Sequence, residues 1–134
     1  IPELAARMAE LGDVGLLIVD PIVSAVAGDS HKNGEVRRAL EPLVRLGQDF
    51  GCAVLGISHF SKGTGGKDPT ERVTGSIAFG ALARVVLGTV KPREEGEPRL
   101  LVRTKANIGP DSGGFAYDLR QVDVRPGLSA SCVL

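Results

Sequence analysis

Tryptophan is absent, and the aromatics amount to four phenylalanines and one tyrosine in 134 residues. Platforms on which successive bases could stack are therefore scarce. Cysteine is also rare: Cys52 and Cys132 stand far apart and form no CxxC or His/Cys cluster. That spacing argues against a zinc site or a disulfide scaffold and favours a reducing cytoplasm. No apolar run nears the roughly 18 residues of a membrane span, and no basic start leads into an apolar signal segment. Charge of one sign is missing as well, with 16 Lys and Arg against 16 Asp and Glu. Any nucleic-acid contact must then come from a local patch, since there is no general basic coat. With 43% apolar and 24% charged residues, the length suits one globular domain, 1–134, with a real core. The chain starts at Ile1 and closes on Cys132-Val133-Leu134, which reads as a cut from something longer.

Between these ends the pattern alternates strand and helix. Leu4, Met8 and Leu11 recur at helical spacing, and Gly12 ends the run as a helix-terminating glycine does. Leu16-Leu17-Ile18-Val19 followed by Asp20-Pro21 reads as a fully buried strand with an abrupt stop. A helix capped by Asn33 is expected next. It carries Val36, Leu40, Leu43, Val44, Gly47 and Phe50 on one face, with a kink at Pro42. Cys52–Ser58 reads as a second buried strand, Ile77–Leu82 as a short helix, and Arg84–Val90 with Leu100–Thr104 as an antiparallel pair. Phe115–Leu119 makes an edge strand. The expected fold is α/β, parallel at the front and antiparallel at the edge.

Two polar residues end the first two apolar strands. Asp20 faces the crevice where open α/β sheets bind ligands, and there a carboxylate can hold Mg²⁺ beside phosphates. It can equally just open a turn before Pro21. His59 ends the next strand, so a crossover brings it to the same sheet edge. At that place it can bond a phosphate or its attacking water, whereas an isolated histidine is more often satisfied by a backbone carbonyl. The segment 61–68 follows a strand and contains Gly66-Lys67, but it is no phosphate loop. GxxxxGK[ST] needs glycine where Ser61 stands and a hydroxyl where Asp68 stands, and the motif occurs nowhere in the chain. What remains is a basic loop with Lys62, Lys67 and Arg72, suited to a phosphodiester backbone or simply to solvent. Arg84, Arg103, Lys105 and Asn107 lie on or beside the later strands, where such groups can neutralise charge on a phosphate held by a neighbouring subunit. His31 and the acids 94–97 read as solvated surface.

In order and spacing these motifs resemble the RecA-like core of hexameric helicases, closest to the plasmid RepA-type replicative helicases and related AAA-type ATPases. The resemblance runs from Leu16 to Leu119. Leu16–Pro21 looks like the Walker B strand, with Asp20 as its Mg²⁺-linked aspartate. Ile57–Lys62 looks like the phosphate-sensing histidine, His59, followed by a DNA-facing loop. Gly75–Arg84 is similar to the segment that carries the arginine finger, and Lys105-Ala106-Asn107 resembles the trans-acting basic hairpin. The resemblance implies ATP and Mg²⁺ as cofactors, single-stranded DNA as partner, a hexameric ring, and catalytic roles for Asp20, His59 and Arg84. It also implies nucleotide contacts by Lys105 and Asn107. Because the family's phosphate loop and water-activating glutamate precede the Walker B strand, the chain reads as the carboxy-terminal part of an ATPase core, inactive alone. A non-catalytic module for single-stranded DNA or oligomerisation is the alternative, and a bare α/β domain the third reading.

Overall fold

The computed structural model describes residues 1–29, 32–60, 77–92, 94 and 96–133. The chain, read above as one domain, divides into two compact units, Ile1–Leu82 and Ala83–Leu134.

The first unit is a strand–helix–strand arrangement with a helix before it and one after. Helix α1 spans Pro2–Leu11, with proline in its first turn where a missing N–H costs nothing. It stops at Gly12, whose φ of 66° suits glycine and whose N–H donates to the Met8 carbonyl at 3.1 Å. Met8 is buried, but Leu11, expected on the same face, is 62% exposed. Strand β1 is Leu16–Val19, followed by a 3-10 turn at Ile22–Ala25. Helix α2 covers Asn33–Asp49 and runs uninterrupted through Pro42. Lys32 holds the cap position expected for Asn33, and its side chain makes no capping hydrogen bond. Val36, Leu40, Leu43, Leu46 and Gly47 are buried, whereas Val44 is on the exposed side. Strand β2 is Ala53–Gly56 and helix α3 is Ile77–Leu82.

Strands β1 and β2 pair in parallel, Leu16 opposite Ala53 through Val19 opposite Gly56. Side chains alternate along each strand, which decides what packs. Leu17 and Val19 turn toward the helices and join a core of Val36, Leu40, Leu43, Ala78 and Phe79. A second cluster, Met8, Leu46 and Cys52, also packs against Leu17. Leu16 and Ile18, on the other face, are 51% and 55% exposed, and Leu55 opposite Ile18 is 43% exposed. The expectation of fully buried strands is thus corrected. No position of either strand is fully buried: β1 alternates between exposed and half-buried, and β2 is exposed at all four positions. Gly47 allows close approach of α2 to β2, because a Cβ there would stand 2.9 Å from the Val54 side chain.

The second unit is antiparallel throughout. Strands β3 (Val85–Val90), β4 (Arg99–Ala106) and β5 (Gly114–Tyr117) form a sheet in the order β3-β4-β5, in line with the expected antiparallel pair and edge strand. The expected edge strand ends at Tyr117, before Leu119. Strands β6 (Leu119–Arg125) and β7 (Leu128–Val133) pair as a hairpin that the sequence reading missed. Its turn lies at Pro126-Gly127, with Gly127 at φ 76°.

Candidate functional site

The parallel register fixes where the first two polar residues lie. Val19 is opposite Gly56, so Asp20 follows one residue beyond the last pair and His59 three beyond. The strand ends are tied by backbone bonds: Ile57 N–H donates to the Val19 carbonyl at 2.9 Å, and Ile22 N–H to the Ile57 carbonyl at 2.8 Å. Asp20 and His59 therefore belong to the same carboxyl edge of β1 and β2, and both are exposed. Gly56 keeps that edge tight, since a Cβ there would come within 3.0 Å of the Ile22 side chain.

The loop after Asp20 is held from α2. The Asp29 N–H donates to Glu35 Oε2 at 2.9 Å, and Lys32 Nζ lies 3.3 Å from Glu35 Oε1. The Asp29 amide, and then the Lys32 ammonium, hold the Glu35 carboxyl below its usual value of 4.5. Gly28, at φ 125°, carries the bend. Nothing in the sequence pattern singled out Glu35, although an acid in the first turn of a helix is a common anchor for nearby amides.

Arg84, Lys105 and Asn107 belong to the second unit, around the start of β3 and the end of β4. Val85 pairs with Ala106, and the Asn107 N–H donates to the Arg84 carbonyl at 3.1 Å. Arg84 and Asn107 are exposed. Lys105 is partly buried and its Nζ donates to the Ala83 carbonyl at 2.9 Å. The Arg103 guanidinium donates to the carbonyls of Pro110 at 2.7 Å and Ser112 at 3.3 Å, clipping the turn before β5. A concavity lined by Lys91, Glu94, Glu97, Arg99 and Asp118 takes in none of the residues singled out above. Lys62, Lys67, Arg72 and His31 lie outside the described residues.

Among the described residues no three His, Cys, Asp or Glu side chains gather as a metal cluster. Among the described residues the carboxylate at the strand edge is the exposed Asp20, with the His59 imidazole on the same edge. The chemistry of that carboxylate fits a water-coordinated Mg²⁺ shared with phosphates rather than an all-protein cage. A phosphate cradle is not supplied by this sequence, which lacks GxxxxGK[ST].

The sequence model of the AAA domain family matches residues 1–65. Those residues take in α1, β1, α2 and β2, with Asp20 and His59 at the strand ends. Residues 1–65 are thus similar to an AAA-type, P-loop-ATPase-like region. Use of a nucleotide with Mg²⁺ accords with that family at a general level. Arg84, Lys105 and Asn107 lie beyond the matched span. None of the curated proteins compared with the chain matches it. Among the described residues no helix is long and apolar enough to cross a membrane.

Proposed function

We propose that this chain is part of an ATP-driven DNA motor, a helicase or a replication or repair ATPase of RecA-like type. The observation that carries the reading is the parallel register that puts Asp20 and His59 at one strand edge inside the AAA-like region. Asp20 would hold the Mg²⁺ of a bound ATP, and that ion would supply charge neutralisation at the phosphates. His59 accepts or donates a hydrogen bond near the terminal phosphate and passes its presence to the residues that follow. Lys62, Lys67 and Arg72 give those residues the charge to meet a single-stranded DNA backbone without reading sequence. Arg84 acts across the interface between copies in a ring, on the phosphate of the neighbour. Positioning by a phosphate loop is indispensable for such chemistry, so the 134 residues alone turn over no ATP.

His59 provides the test. In an assembly that supplies the phosphate loop, single-stranded DNA stimulates ATP hydrolysis. His59→Ala keeps the basal rate and loses the stimulation. Stimulation of the same size in the variant would overturn the role given to His59. Salt-sensitive DNA binding without any effect of ATP would instead favour a non-catalytic binding module.

A further inference from the structure

Arg103 and Lys105 of β4 lie near a rim where phosphate contact is the obvious expectation, yet each bonds backbone carbonyls of its own unit. Lys105 Nζ donates to the carbonyl of Ala83 at 2.9 Å, the residue just before Arg84. Two positions on, the Asn107 N–H donates to the carbonyl of Arg84 itself at 3.1 Å. Val85 then enters the ladder opposite Ala106. The two bonds and this pairing hold the backbone on both sides of Arg84 and at it. Further along the same strand pair, Thr104 Oγ1 donates to the Val86 carbonyl at 3.2 Å and continues the same stitching. Arg84, by contrast, is exposed.

We infer that Lys105 is a positioning residue for Arg84, not a nucleotide ligand: its ammonium fixes the peptide that starts β3 and so sets where the Arg84 guanidinium is presented. An ammonium bonded to a carbonyl is a charge-assisted bond, about twice as strong as a neutral one. A partly buried lysine that left it would strand that carbonyl. The bond spans residues 83 and 105, which come together only when β3 pairs with β4, so the device forms only with the folded sheet. What Arg84 does once positioned rests on the function proposed above, whereas the tether itself does not.

Two readouts separate these. Amide exchange on the 134-residue chain, without nucleotide, reports the tether. Lys105→Met should speed exchange of the Asn107 amide by about tenfold, and Lys105→Arg, which keeps a donor, should restore most of the protection. Should Lys105→Met unfold the second unit, Lys105→Ala, which likewise removes the donor, carries the same comparison. In an assembly competent for hydrolysis, Lys105→Met should lower kcat in the direction of Arg84→Ala while leaving KM for ATP unchanged. Lys105→Arg should recover kcat. Unchanged exchange at Asn107, or a tenfold rise in KM for ATP with kcat intact, would overturn the inference and return Lys105 to the nucleotide. If Arg84→Ala leaves kcat intact while the exchange effect stands, the role given to Arg84 fails and the tether survives.

Discussion

The two units hold themselves together by different means. Among the described residues of Ile1–Leu82, eight side chains from Met8 to Phe79 make up the buried apolar core, and every one lies on a helix or at Cys52 just before β2. In Ala83–Leu134 no described apolar side chain belongs to that core, and Phe115, Val124 and Val133 are each more than 60% exposed. The second unit rests on ladder hydrogen bonds and on cation-to-carbonyl bonds from Arg103 and Lys105. The contrast bears on function. A carboxylate and an imidazole at strand ends need a packed base beneath them, and the first unit gives Asp20 and His59 that base. Arg84 belongs to the unit without such a core among its described residues, and directional bonds hold its backbone.

Core truncation tests this contrast most strongly. Leu40→Ala should destabilise the first unit by about 3 kcal/mol, read as a lower denaturant midpoint by circular dichroism. Leu100→Ala, at a 41% exposed position of β4, should cost less than about 1 kcal/mol in the same measurement. Equal losses would erase the distinction between the units. Gly28→Ala comes next: at φ 125° a Cβ is strained, so the loop after Asp20 should lose about 1 kcal/mol of stability. The smallest effect concerns Glu35. Its carboxyl is held below 4.5 in the fold, so its contribution is present above the unfolded value and lost as pH falls through the folded one. Denaturant midpoints between about pH 6 and pH 3 should therefore decline less steeply in Glu35→Gln than in the parent chain. Parallel declines would show that Glu35 does not anchor Asp29.

Most of the element order was legible in the sequence, because apolar runs and helical spacing are local signals. Leu16–Val19, Ala53–Gly56, the long helix over Pro42 and the antiparallel pairing of β3 with β4 all follow from them. The common edge for Asp20 and His59 was legible too, since a parallel pair with one helix between leaves little choice. Burial was not. Whether Leu16 and Ile18 are covered depends on what lies against the second face of the sheet, and no run of residues encodes that. The β6–β7 hairpin had a signal that was passed over: Val122 and Val124 alternate with charged residues just before Pro126-Gly127. The Lys105–Ala83 bond had none, because it joins residues that only tertiary pairing brings together. The AAA-like match stops at residue 65, so the reading of Arg84 stands on the motif resemblance and its local geometry.

The most direct measurement of the central claim is ATP hydrolysis with Asp20→Ala, in an assembly that supplies the phosphate loop and with folding checked by circular dichroism. If Asp20 holds the Mg²⁺ at the strand edge, turnover should fall by about a hundredfold or more while the fold is retained. Turnover at the parent rate in a folded Asp20→Ala protein would contradict the account.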